Sequence, residues 1–337
     1  MERNMPQPTQ ILYAGPAEHD RDLWRVTHDP APALEDGQLH LRLSHVSVDP
    51  AMRGWITAKR SYIEPIKPGQ LMRAFGVGEV VASRAEGFVP GDWVTGFTGL
   101  ATETVVTPRD VRKINTSLAE PKDYLSGLGM TGYTAYFGVT DIGQPKPGET
   151  VVISSAAGAV GSIACQVARN LGARVIGIAG GPKKCDWLKQ TLQVDGVIDY
   201  KNESVADGLD REAPDGIDMY FDNVGGEALD AVLARINRHA RIVVCGAISQ
   251  YGDMFDITGP RNYMALITHS ATMQGFTMRD YLRRVPEGFM QLLTWKHEGK
   301  LVYREHIVDG LEQFPDAFEM LFGGENNGKL LIRVLPC

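Results

Sequence analysis

The sequence predicts an α/β protein, its larger part a doubly wound parallel sheet and its smaller part an all-β region that comes first. Three observations lead there. Between about residues 36 and 114, short apolar or alternating runs are broken by Gly, Pro and Asp, the punctuation of paired strands. After Pro121, apolar runs alternate with stretches of helical spacing, the pattern of βαβ units. Between the first such strand and the first such helix lies a loop of small residues, Ala156-Ala157-Gly158-Ala159-Val160-Gly161. A chain of 337 residues is long for one core and suits two domains.

In the first region the strand-like runs are 39–48, 76–83, 93–97 and 101–106. Pro90-Gly91-Asp92 ahead of Trp93 predicts a turn, because Pro fixes φ and Gly tolerates positive φ. In the second region, strands are predicted at 150–155, 174–179, 196–200, 217–223, 241–246 and 272–277, enough for a complete doubly wound sheet. The segments 162–171, 183–192 and 226–236 carry helical spacing and serve as crossovers. From 302 to 335 the pattern reverts to short strand-like runs with a helix at 314–322, a segment expected to return to the first domain. The division expected is 1–122 with 301–337, and 123–300.

Several function classes drop out on composition. A net charge of −7 with no basic run disfavours a nucleic-acid groove. Cys165, Cys185, Cys245 and Cys337 are scattered, without a Cys-x-x-Cys spacing or a neighbouring His cluster, which predicts no zinc site and a reduced, cytoplasmic chain. Residues 1–10 are polar and hold two prolines, unlike the apolar core of a secretory leader. The nineteen uncharged residues 150–168 have about the length of a membrane span. Their order, an apolar strand, a glycine turn and a run of small helical residues, predicts a buried βα unit instead, and no membrane partner.

The loop stands where a dinucleotide fingerprint requires it, after a strand and before a helix. Ala156 takes the place of the first glycine. Gly158 lets the backbone approach a pyrophosphate, Gly161 permits close packing of helix on strand, and the helix N-terminus adds N–H donors and a favourable dipole. The end of the second strand reports on the cofactor, since an Asp or Glu there binds the adenosine ribose and repels a 2′-phosphate. Ala179-Gly180-Gly181-Pro182-Lys183-Lys184 holds no carboxylate and two lysines. Surface lysines are common, but with the acid missing the pair points to NADPH rather than NADH.

These residues, with the segments Val48-Asp49-Pro50-Ala51-Met52-Arg53-Gly54, Met130-Thr131-Gly132-Tyr133-Thr134-Ala135-Tyr136-Phe137, Phe221-Asp222-Asn223-Val224-Gly225-Gly226 and Cys245-Gly246-Ala247-Ile248-Ser249-Gln250-Tyr251, resemble the medium-chain dehydrogenase/reductase superfamily. Within it the chain resembles the zinc-independent branch of prostaglandin and leukotriene reductases, plant double-bond reductases and bacterial curcumin reductases. Arg60-Ser61-Tyr62-Ile63-Glu64-Pro65 is most similar to the curcumin reductase type, while Ala51 replaces a Tyr frequent in the plant and mammalian branches. The resemblance implies a GroES-like β-barrel for the first domain, a Rossmann domain that binds NADPH for the second, and a homodimer. It implies that Ala157, Gly158, Ala159, Val160 and Gly161 hold the cofactor, and that Lys184 and Tyr200 contact its 2′-phosphate. Gly180, Asn223, Met130 and Thr131 join them, as do Cys245, Ala247, Ile248 and Tyr251. On the residues alone, Asn223 also fits a helix cap and Tyr200 a strand-end aromatic over the sheet.

The zinc-dependent branch needs an early Cys and a Gly-His-Glu motif. Here Val48-Asp49 and Gly76-Val77-Gly78-Glu79 stand in those places, and no Cys precedes Cys165. Without a Lewis acid to polarise a carbonyl, conjugate reduction of an enone or enal is the expected chemistry. Hydride would go to the β-carbon, Tyr251 would donate to the enolate oxygen, and Tyr62 would supply the α-carbon proton. Two alternatives stay open: a quinone reductase on the same scaffold, and an NADPH-binding protein without catalysis.

Overall fold

A computed structural model of the chain describes residues 8–57, 63–251 and 257–334. The chain divides into two compact units, Met1–Leu125 with Glu305–Asn326 and Leu330–Cys337, and Ser126–Arg304 with Asn327–Lys329. The first unit opens with β1 (Gln10–Tyr13) and β2 (Trp24–Thr27), then β3 (Leu39–Ser47), the short helix α1 (Ala51–Trp55), β4 (Phe75–Ser83), β5 (Trp93–Phe97), β6 (Glu103–Val106) and β7 (Val111–Lys113). The second runs through α2 (Met130–Phe137), β8 (Thr150–Ile153), α3 (Gly161–Asn170), β9 (Arg174–Ala179), α4 (Pro182–Gln190) and β10 (Gly196–Asp199). It continues with α5 (Val205–Glu212), β11 (Ile217–Asp222), α6 (Gly226–Leu233), β12 (Ile236–Val244), α7 (Ala265–Thr268), β13 (Thr272–Gly275) and α8 (Val285–His297). The chain then returns to the first unit as β14 (Glu305–Asp309), α9 (Phe314–Gly323) and β15 (Lys329–Arg333).

The first unit is built on a sheet ordered β14-β15-β3-β4-β5-β7, with β6 also paired to β3. Leu39, Leu41 and Leu43 alternate inward along β3 and are wholly buried, as a two-residue strand period dictates. Two register shifts against β4 let the long strand bend. The returning segment completes the core: Trp24 packs edge-on against Phe314 and Phe318 of α9, with ring centroids 5.0 and 5.1 Å apart. β1, β2 and α1 were not expected from the sequence, because elements of four or five residues are too short to show a period.

The second unit is a six-stranded parallel sheet ordered β10-β9-β8-β11-β12-β13. The six predicted strands are its six strands. β12 begins at Ile236 rather than near 241. Ile236 pairs with Ile217, then the register shifts, and the exposed Arg238 and His239, the latter at φ +65°, hide the strand's start. The uncharged stretch resolves into β8, the loop and α3, whose Ile163, Ala164, Val167 and Ala168 are buried. No helix among the described residues is long and apolar enough to cross a membrane. The chain steps outward from β8 to β10, then crosses back to run from β11 to β13. The ends of β8 and β11 therefore form the topological switch point, where open α/β sheets bind ligands.

Candidate active site

At that switch point three loops are tied together. Ser154 ends β8, and its N–H donates to the carbonyl of Phe221 (3.1 Å). Asn223 ends β11, its backbone N–H donating to Ser154 Oγ (2.8 Å) and its Nδ2 to Ser154 O (2.7 Å). The Asn223 side chain therefore ties two strand ends and does not cap a helix; the N-cap of α6 is Gly225, and no side chain caps it. The loop after β12 hangs on the same edge. Cys245 and Gly246 donate N–H to Asp222 O (2.9 and 3.0 Å), and Ile248 donates to Asn223 O (3.2 Å).

Under this lattice sits Asp222, a residue whose role the sequence did not disclose. Its Oδ1 accepts from the N–H groups of Val224 and Gly225, from Tyr220 Oη (2.9 Å each) and from Ser154 Oγ (3.2 Å). Burial raises its carboxyl above the usual range, with the four donors pulling the other way. The same burial, with Asp222 beside it, holds the Tyr220 hydroxyl far above its ordinary value and pushes the thiol of Cys245 up to about 12. A thiol raised this far stays protonated at neutral pH, which disfavours Cys245 as a nucleophile.

Whether this edge fits a dinucleotide is tested by its glycines. A Cβ at Gly161 would stand 2.2 Å from Ser155 O, and one at Gly158 would meet Ser155 Oγ at 2.8 Å and Ser155 O at 3.0 Å. Ser155 itself adopts φ +49°, an uncommon left-handed turn for a non-glycine. The loop thus lies close against Ser155 at the strand end, with Ala157 buried and Ala159 and Val160 part-exposed at the start of α3. No side chain caps that helix, so its first N–H groups suit an anion. The residues fit the group.

At the adenosine end a Cβ on Gly180 would meet the Tyr200 ring at 2.7 Å. Tyr200 is half exposed, its ring standing over Gly180 just beyond β9. A carboxylate does stand nearby: Asp199 of β10. The sequence offered none at the end of β9. Its Oδ1 accepts from Gly181 N (2.7 Å) and Lys201 N (3.1 Å), and its Oδ2 from Asn202 Nδ2 (2.7 Å). Burial would raise this carboxyl, yet these donors hold it below the usual range. The oxygens that would bind a ribose are engaged, Oδ1 by backbone N–H groups and Oδ2 by the Asn202 side chain, so Asp199 shapes the turn. Burial, with Lys201 and Arg304 close by, lowers the pKa of Lys184.

Tyr251 follows a single 3₁₀ turn, Ile248–Gln250, and its ring folds back on its own loop. The N–H of Ala247 donates to Tyr251 Oη at 3.4 Å, and a Cβ on Gly246 would stand 3.4 Å from the same oxygen. Met130 and Thr131 form the first turn of α2, which packs on α3, and the Thr131 hydroxyl donates to Ser126 O (2.9 Å). Tyr62 lies outside the described residues. Among the described residues no three His, Cys, Asp or Glu side chains stand together as a metal ion requires.

A parallel sheet with a small-residue phosphate loop at its switch point defines a Rossmann-type nucleotide-dependent oxidoreductase unit. Residues 14–114 match the family described as the N-terminal domain of oxidoreductase, and residues 159–295 that of zinc-binding dehydrogenase. Among the described residues no group of three potential ligands gathers for the zinc that the second description names. YfmJ of Bacillus subtilis is 48% identical over 90% of this chain and 91% of its own length. An NADPH-dependent curcumin reductase of Escherichia coli is 38% identical over 92% of each. CurA of Vibrio vulnificus, crystallised with NADPH, superposes with a TM-score of 0.91 at 38% identity, covering 98% of this chain and all of that one. The chain belongs to the medium-chain dehydrogenase/reductase family, in the branch of the curcumin, 2-alkenal and prostaglandin reductases.

Proposed function

We propose that this protein is an NADPH-dependent reductase of the carbon–carbon double bond in small α,β-unsaturated ketones and aldehydes. The observation that carries the reading is the convergence of the loops after β8, β11 and β12 on one switch point, in a chain whose relatives include enzymes named for this chemistry. The first unit would be the GroES-like catalytic domain and the second the cofactor domain. Cys165, Cys185 and Cys245 are free thiols, in keeping with a cytoplasmic enzyme. We also assign it as a homodimer.

Bound NADPH supplies hydride for the β-carbon. The backbone of 157–161 would hold its pyrophosphate, and Lys184 and Tyr200 its 2′-phosphate. Tyr251 would donate a hydrogen bond to the enolate oxygen. The bond it accepts from Ala247 orients the hydroxyl, and a hydroxyl that accepts is a stronger donor. Tyr251→Phe keeps the ring and deletes only that donor. Its kcat with an enone is expected to fall about a hundredfold, with NADPH affinity unchanged. Steady-state kinetics with enones, enals and quinones, together with cofactor titration, measures this. Turnover at the parental rate would remove Tyr251 from the chemistry, and activity confined to quinones would replace the substrate class.

A further inference from the structure

One cation near the cofactor edge has no counterpart in the motifs of the loop. Arg304 lies where the chain leaves the second unit, far in sequence from the phosphate loop and from α4. Its guanidinium lies over the indole of Trp187, 4.0 Å from the ring centroid. Trp187 stands three residues after Lys184 on α4, a spacing that puts both on one helix face. The backbone of Arg304 is anchored as well. Its carbonyl accepts from Lys329 N (2.9 Å), a Cβ on Gly328 would meet that carbonyl at 2.2 Å, and Gly328 forms a parallel bridge with Gly158 of the phosphate loop. The Arg304 backbone is thus tied through Gly328 to the phosphate loop, and its guanidinium is held against the helix of Lys184.

Its Nε and Nη2 are buried and have no hydrogen-bond partner among the described residues. A buried guanidinium without acceptors is unfavourable unless something supplies them. The aromatic stack satisfies the face of the cation but none of its N–H groups, which point outward in the plane. Oxygens of a phosphate are the acceptors that this planar fork fits best.

We propose that Arg304 binds the adenosine 2′-phosphate of NADPH together with Lys184, and so sets cofactor choice. This rests on the NADPH reading above. Lys184 lies within the electrostatic reach of Arg304, and neighbouring like charges are relieved by an anion that both can meet.

The test is titration of the full-length protein with NADPH, NADH and 2′,5′-ADP, for the parent, Arg304→Gln and Arg304→Lys. The parent is expected to prefer NADPH at least tenfold. Arg304→Gln should weaken NADPH and 2′,5′-ADP about tenfold or more and leave NADH unchanged, since the charge-assisted bonds go to the phosphate alone. Arg304→Lys should fall between, keeping the charge and losing the fork. Unaltered NADPH binding in Arg304→Gln, or equal weakening of NADPH and NADH, overturns the assignment, the second by showing that the residue only supports the fold. If Arg304→Gln does not fold, the lysine variant decides: a selective loss supports the role and parental binding overturns it. Equal affinities of the parent for NADPH and NADH would instead remove the NADPH reading on which the proposal stands.

Discussion

Ala156 occupies the place of the fingerprint's first glycine, and its neighbours explain how an alanine fits. The residue is wholly buried, and its N–H donates to Ile178 O (2.9 Å). A Cβ built on Gly177 of β9 would stand only 2.9 Å from the Ala156 methyl, so the space opened by a glycine has moved to the adjacent strand. Gly161 has no such relief. Its added methyl would press on the carbonyl of Ser155, a backbone atom in a turn that is already left-handed. Gly161→Ala is expected to destabilise the protein by about 1–3 kcal/mol through overpacking and to weaken NADPH and NADH alike, by tenfold or more, because the pyrophosphate seat shifts. Denaturant titration and cofactor binding measure both. Gly259→Ala, where nothing lies within 4 Å, should change neither, and parental binding in Gly161→Ala would show that the loop yields without loss.

Among the elements, the ends of β8 and β11 are joined at the Asp222 carboxylate, which accepts four hydrogen bonds, and the loop after β12 hangs on the backbone carbonyl of the same residue. Asp222→Ala would leave the hydroxyls of Tyr220 and Ser154 and two backbone N–H groups without their acceptor. Several unsatisfied buried donors together make a loss of about 3 kcal/mol or more the expected result, visible as a lower urea midpoint. Asp222→Asn keeps an acceptor oxygen and should lose less. Equal midpoints for the alanine variant and the parent would show that water or a rearranged turn replaces the carboxylate. This cluster also marks how far the sequence could be read. The parallel strands were legible because burial on both faces makes them near-continuous apolar runs, and the loop 156–161 was legible because its residues are consecutive. The role of Asp222 is not legible along the chain, because its partner Ser154 follows a different strand, β8. Arg304 is illegible for the same reason, with Trp187 and Gly158 far away in the chain. The Asp199 carboxylate reaches Gly181 from β10 and not along β9, so the end of β9 does not disclose it.

For the whole molecule, the sheet of the second unit ends on β13, which pairs with β12 on one side only. Tyr263, Met264 and Ile267, close to it in the chain, are exposed, Ile267 to 69%. A strand edge open among the described residues, beside exposed apolar residues, suits a second copy of the chain, which supports the proposed homodimer. The parent is expected to sediment as a dimer and Ile267→Lys to shift toward monomer. A parent that sediments as a monomer at micromolar concentration would end that assignment. The first unit carries a different consequence, one that concerns the order in which a ribosome releases the chain. β3 is made early, yet its neighbour β15 and the aromatic helix α9 are among the last elements to emerge. All six strands of the second unit emerge before them, so that unit can form its parallel sheet during synthesis while the opening segment waits. Until β15 arrives, residues 45–47 of β3 are without their partner, β6 covering only residues 39–42, and Trp24 lacks Phe314 and Phe318. For that interval the nascent amino-terminal half exposes a strand edge and apolar surface, the state in which a holding chaperone has most to protect.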